Sequence, residues 1–485
     1  MITPPKPKQI FSLCAWSILV YILLKPIITA PLVADDFLAP FTEYLANRGK
    51  WQSAVSHSIG IVRDGVSFRP VATLLNTAQN FLTVQVGLRF SISPTTVFSW
   101  LRFVTFLFLI DSISRLIADT LGNVAIFEKS RTRLGSIRIL VTTLLAAVIQ
   151  IHILWSNDPV TNYILSGLFP LGLMIHSIRF GMRATQSHKP RDYGLAAGLG
   201  LVAGLTYELT IGLAVGFVIA TLLFVPRSPT QRFSRQHILA ASTALPNLLV
   251  VSFGRIAYRK AANAYGGTTI GDQHSLAETA LIHVAGQLPG TAWRLSHETN
   301  RLVFIPTVRA VLVGVIVGVS VLVCAKRIAT SREPRNRLKL IFILTTGSLI
   351  PPVLLSLTAK VQNETTRFGE VYIPYAYGLP LSIVTLAVVS AWLTKKTRAM
   401  WALCIFLAAI GTVQYSINDR LSIHAQGAFR ANSEILATWS DRPNRDARCL
   451  ALSNWEQIPW PQYYRDELKN GLQMTYSDYF GEDFC

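Results

Sequence analysis

Two adjacent carboxylates, Asp35 and Asp36, follow directly on an apolar run of about residues 10–30. Such a pair at a membrane exit can act as general base or ligate a metal. Neighbouring like charges raise one pKa and help it take a proton near neutral pH. Asp is equally an ordinary helix N-cap. Further on, Ser67-Phe68-Arg69-Pro70 sets an arginine before a proline that can open a helix. Arg69 can reach a phosphate at the membrane surface or extend from an interfacial stem. Trp155-Ser156-Asn157-Asp158-Pro159 reads as a turn, with Trp155 in the interface belt. Asp158 and His152 offer chemistry there, though Asn-Asp-Pro also suits a plain turn. Glu208 interrupts an apolar stretch. A carboxylate at membrane depth is a functional candidate by default, and its plainer use is a pair with an arginine. Arg367 precedes Phe368 and stands near Tyr372, Tyr375 and Tyr377. Its fork suits a phosphate, and the rings can stack on a sugar or line the interface. Asn363-Glu364-Thr365 matches a glycosylation sequon.

These residues must be positioned by membrane helices. Of the 485 residues, 51% are hydrophobic and 15% charged, and the mean hydropathy is +0.39. Soluble proteins carry about 25% charge, so the composition excludes a disordered chain, a coiled coil and an ordinary cytosolic enzyme. The net charge of +19 falls in short tracts between apolar runs. That is the positive-inside pattern rather than a nucleic-acid footprint, and no nucleic-acid partner is expected.

The first run has the length of an uncleaved anchor rather than a signal peptide cut near Ala34. Further spans are expected at about 96–117, 139–155, 160–179, 194–206, 209–225, 238–254, 303–325, 339–358, 372–393 and 400–416. Basic tracts lie at Lys129–Arg138, Arg179–Arg191, Arg227–Arg235, Lys326–Lys339 and Lys395–Arg398. Making all of them cytoplasmic gives about 11 alternating spans (11–13), N-terminus in and C-terminus out. Gly194–Val225 exceeds a single span by about 18 Å. Two short helices meeting at Thr206-Tyr207-Glu208 explain its length. Residues 70–92 are long enough to span, but Asn76, Gln79, Asn80 and Gln85 interrupt them. A helix at the outer interface or against the bundle is favoured.

The expected fold is therefore an all-α polytopic membrane protein. A bundle over residues 1–416 carries outer loops at 31–95 and 255–302, and a small extracytoplasmic C-terminal domain covers 417–485. Cys14, Cys324 and Cys404 lie in apolar runs and read as packing residues. Cys449 and Cys485 share the tail, where an oxidising compartment would pair them. No cysteine or histidine spacing of a metal site occurs.

The first span with its acidic pair, the Arg69-Pro70 before a helix, Tyr207-Glu208 between short spans and Arg367-Phe368 before a late span resemble the GT-C superfamily. These are polytopic glycosyltransferases that use polyprenyl-phosphate sugars. The resemblance covers about residues 11–416; the 255–302 loop and the tail fall outside it. It implies that Asp35 or Asp36 is the catalytic base, with Asp36 preferred as lying further from the bilayer edge. It implies that Arg367 binds the donor phosphate, with Arg69 as second contact. The family's late motif is usually Arg-Tyr, so a tyrosine hydroxyl is missing or moved here. Glu208, Tyr372, Trp155 and Asp158 are the expected substrate-binding residues. A divalent metal, Mg or Mn, held by Asp35 and Asp36 is optional. The implied reaction transfers a sugar, with inversion, to a cell-envelope glycan, lipid or protein at the extracytoplasmic face of a bacterial plasma membrane.

Other readings remain at this stage. An envelope polysaccharide polymerase or ligase would use the 255–302 loop, with Arg255, Arg259, Lys260, His274, His283, Arg294 and His297. A lipid or solute transporter would place ionisable groups near the midplane, often in repeated halves. A non-catalytic membrane scaffold is the third.

Overall fold

The computed structural model describes residues 7–32, 35–64, 68–90, 92–121, 130–152, 158, 160–162, 164–224, 235–258, 271, 275–288, 290, 306–326, 334–364, 374–439, 441, 443–458 and 462–485. Among these residues the chain is helical and has no strand. The helices are α1 (Pro7–Ile28), α2 (Asp35–Ala46), α3 (Trp51–Arg63), α4 (Pro70–Arg89), α5 (Pro94–Leu121), α6 (Ser130–Val148), α7 (Leu168–Ser187), α8 (Pro190–Thr206), α9 (Ile211–Leu223), α10 (Arg235–Ser242), α11 (Leu245–Tyr258) and α12 (Leu276–Gly286). They continue as α13 (Val308–Ala325), α14 (Pro334–Ser356), α15 (Ala359–Glu364), α16 (Pro374–Leu393), α17 (Thr397–Ala428), α18 (Arg430–Thr438), α19 (Arg445–Glu456) and α20 (Gln462–Phe480). Prolines 70, 94, 190, 334 and 374 each open a helix, where their missing N–H is no loss and their φ is already helical.

Six segments are long and apolar enough to cross a membrane: Ile10–Ile28, Gln236–Gly254, Val308–Ala325, Arg335–Ser356, Pro374–Leu393 and Thr397–Gly427. They make this an integral membrane protein of α-helical, polytopic type. Leu134–Val148, Glu208–Leu223 and Leu276–Gly286 are shorter apolar helices. Small residues let the bundle close up. A Cβ on Gly216 would come within 2.9 Å of the Ile343 carbonyl on α14, and one on Gly314 would collide with the Ala408 carbonyl on α17.

Several boundaries differ from the sequence reading. The 139–155 run leaves the helix after Val148. The backbone beyond it is satisfied by side chains from distant helices. Ile151 N donates to Asn418 Oδ1 at 3.0 Å, and Asn418 Nδ2 donates to Ile149 O at 3.0 Å. The helix expected at 160–179 starts only at Leu168 and runs on to Ser187, because residues 160–162 turn about the Asp158 carboxylate. The last span continues unbroken to Ala428, so residue 416 lies inside a helix. The 194–225 run, by contrast, breaks where expected, at Tyr207, with a 3-10 turn over Glu208–Thr210 between the two helices.

The polar stretch at 70–92 forms α4, packed against α2, α3, α5 and α8. It buries polar residues beside apolar ones such as Phe81 and Val84. Thr77, Gln79 and Thr83 are buried while Leu74 and Leu82 are exposed, and Thr77 Oγ1 accepts from Ser58 Oγ at 2.8 Å. Ser166 Oγ donates to Asn76 Oδ1 at 3.1 Å.

A second apolar core stands apart from that of the bundle. Phe37, Leu38, Phe41, Tyr44, Phe81 and Val84 from the first long loop pack with Trp439, Trp455, Leu468, Leu472, Tyr476 and Phe484 from the C-terminal segment. The tail and the first loop thus build one core together. A disulfide joins Cys449 to Cys485, and among the described residues Cys14, Cys324 and Cys404 are free.

Candidate active site

Asp36 sits in the first turn of α2, just past the end of α1, and is buried. Its Oδ2 lies 3.9 Å from Nη2 of Arg102 on α5, whose side chain is wholly enclosed. A lone charge there would be costly. Arg102 Nε donates to Thr161 O at 2.9 Å and Nη1 donates to Ala30 O. Asp36 and Asp158 are the nearby carboxylates whose charge favours the guanidinium cation against its burial. The arginine therefore fastens the end of α1, the 158–162 turn and α2 to one point.

Asp158 shapes that turn. Its Oδ1 accepts from Val160 N at 2.8 Å, Thr161 N at 2.7 Å and Thr161 Oγ1 at 3.0 Å, and its Oδ2 accepts from His152 N. Burial pulls its pKa up, but the adjacent His152 and the backbone N–H groups outweigh that and hold it below the usual carboxylate range. This is the turn-forming use of Asp, with both oxygens turned inward on the protein. His152 Nδ1 stands 3.6 Å from Asp158 Oδ2, and its ring meets Tyr375 edge-on at 4.9 Å. Tyr375 OH accepts from Gln150 N at 3.0 Å and donates to Val148 O at 2.9 Å.

A second cluster adjoins the first. Arg69, immediately before α4, grips Glu208 at the α8–α9 break in a bidentate pair, Nε to Oε2 at 2.8 Å and Nη2 to Oε1 at 2.6 Å. Its guanidinium lies 4.5 Å above the Tyr207 ring. Tyr377 is buried beside Tyr207, Glu208 and Arg69. The first turn of α16 carries both Tyr375 and Tyr377 and so joins the two clusters.

Asp36, Arg69, Asp158 and Glu208 are thus drawn together from four separated stretches of chain. Arg367, Tyr372 and Trp155 lie outside the described residues, as does the side chain of Asp35. So do Arg259, Lys260, His274, Arg294 and His297 and the side chain of Arg255 from the 255–302 loop. His283 is buried on α12, which packs on α14. Among the described residues no three His, Cys, Asp or Glu side chains form a metal-binding group. Beside Asp36 stands the Arg102 guanidinium, and the side chain of Asp35, the other expected metal ligand, lies outside the described residues.

Arg102 is the residue that sequence reasoning missed. It stood inside an apolar run, and a charge in such a place is itself a functional signal. The opposite half of α5 behaves differently. Asp111 pairs with Arg115 at 2.6 Å and with Arg138 at 2.5 Å, and Asp119 pairs with Arg179. Arg138 and Arg179 belong to two of the basic tracts, and Arg102 stands about 26 Å along the helix from Asp119. No protein family, curated protein or solved structure matches this chain.

Proposed function

We propose that this chain is an integral-membrane, inverting glycosyltransferase of GT-C type. It moves a sugar from a polyprenyl-phosphate donor to an envelope glycan, lipid or protein acceptor. The site lies on the extracytoplasmic face of a bacterial plasma membrane, with the N-terminus cytoplasmic, the C-terminus outside and about 11 spans. The observation that carries the reading is the buried Asp36 beside Arg102 at the end of the first apolar helix, next to the Arg69–Glu208 pair. A carboxylate and an arginine fork at one membrane exit are the two groups that hydroxyl activation and phosphate binding need. The pairing of Arg138 and Arg179 with the other half of α5 supports opposite faces for the basic tracts and the site.

In this mechanism Asp36 takes the proton of an acceptor hydroxyl as its oxygen attacks the anomeric carbon. The bond from that carbon to the phosphate oxygen breaks, and the polyprenyl phosphate departs with the electron pair. Arg367 and Arg69 balance its charge. A single displacement inverts the anomeric centre. No step runs through a metal. The test is transfer from a radiolabelled polyprenyl-phosphate sugar to membrane acceptors by the purified protein in liposomes. Label moving to acceptor supports the reading; liposomes that bind the donor without turnover, over a range of sugars, oppose it.

A further inference from the structure

We infer that the C-terminal segment, residues 430–485, is a positioning element that sets where Asp36 stands. The inference rests on the proposed role of Asp36 as base. The helix α2 presents Asp36 toward Arg102 at 3.9 Å. The rest of α2 is held along its length by the tail. Phe37, the next residue, lies 6.4 Å from Trp455 between ring centroids. Phe41, one turn on, lies 5.2 Å from Trp439. The Phe41 carbonyl presses on α20 so closely that a Cβ on Gly471 would sit 2.7 Å from it. Tyr44 OH donates to Asp478 Oδ2 at 3.3 Å. Burial, Tyr479 and Asp478 keep that hydroxyl protonated by raising its pKa.

The tail is itself braced. Trp455 is enclosed and its indole N–H donates to Asn432 Oδ1 at 2.8 Å. Arg448, also enclosed, donates to Phe484 O at 2.8 Å and Asp441 O at 3.0 Å. The Cys449–Cys485 disulfide locks the chain end onto α19. The helix α2 therefore lies between the bundle, through Arg102 and α4, and the tail, through Phe37, Phe41 and Tyr44. A shift in the tail is passed along α2 toward the turn that meets Arg102.

The test reads the position of residue 36 without needing turnover. In a chain with Cys14, Cys324 and Cys404 replaced by serine or alanine, Asp36→Cys is labelled with a membrane-impermeant maleimide. Asp36 is 6% exposed, so labelling should be slow in the otherwise unaltered protein. Gly471→Ala overpacks the α2–α20 contact and should raise the rate by about tenfold or more. The pair Cys449→Ser/Cys485→Ser should act in the same direction. Leu450→Ala, at an exposed position on α19, should leave it unchanged. Asp478→Asn serves as a milder variant if Gly471→Ala does not yield monodisperse protein. In the Asp36-containing protein, Gly471→Ala should lower kcat while leaving KM for the donor unchanged. Unchanged labelling in Gly471→Ala, Asp478→Asn and the serine pair would overturn the inference. Absence of transfer by every form, with labelling still responsive, would count against the glycosyltransferase reading instead.

Discussion

Two arginines meet carboxylates at this end of the molecule, and they do so in opposite ways. Arg69 gives its fork to Glu208 in a bidentate pair, with 25% and 13% of the two side chains exposed. Arg102 is fully enclosed, gives its N–H groups to the carbonyls of Ala30 and Thr161, and stops 3.9 Å short of Asp36. The first arrangement closes a pair near the surface. The second uses backbone to hold a cation at a fixed point and brings a carboxylate up to its field without a direct hydrogen bond. A carboxylate so placed is supported electrostatically while its geometry is set by α2. The contrast is between a carboxylate tied to its arginine by two hydrogen bonds and one held 3.9 Å from a cation that backbone carbonyls fix.

The sharpest way to break the contrast is at the carboxylates. Asp36→Asn should lower transfer by about 10²–10⁴-fold, the usual loss for a base acting on a hydroxyl, with expression and donor binding nearly intact. Equal losses from Asp36→Asn and Glu208→Gln would erase the distinction. At the arginines, Arg102→Met leaves a buried carboxylate and two carbonyls without their cation. It should cost about 3–5 kcal/mol, read as a lowered midpoint of thermal unfolding in detergent. Arg69→Ala breaks a less buried pair and should cost about 1.5–3 kcal/mol. A double-mutant cycle with Glu208→Gln should show their coupling, and Arg69→Ala should also weaken donor binding. A larger stability loss at Arg69 than at Arg102 would invert the account.

Much of the helical frame was legible in the sequence, because apolar runs and opening prolines are local signals. The break at Tyr207–Glu208 followed from the length of the apolar run and the Thr206-Tyr207-Glu208 interruption in it. What could not be read was set by distant partners. The helix ends at Val148 because Tyr375 and Asn418 take over the backbone of residues 149–151. Arg102 looked like a flaw in a span because its partners, Ala30, Asp36 and Thr161, come from three other stretches. The tail looked like a separate unit by composition, yet its aromatic residues complete a core with α2 and α4. Glu208 was legible as a candidate, and its union with Arg69 is the arginine pairing that the sequence left open.

The smallest perturbation concerns the sides of the membrane. Single cysteines in the tail should react with an impermeant thiol reagent from outside intact cells, and cysteines at 227–237 should not. Both basic-tract partners of α5, Arg138 and Arg179, predict that separation from the Arg102 end. The reverse pattern would invert the topology.

The central claim is that the Asp35–Asp36 end of α2 carries the chemistry, and one assay addresses it most directly. Sugar transfer from a labelled polyprenyl-phosphate donor is measured for the purified Asp35→Asn/Asp36→Asn protein beside the unaltered protein in the same liposomes. The account predicts loss of transfer by about 10²-fold or more, with donor binding retained. Near-normal transfer by the double variant would contradict it.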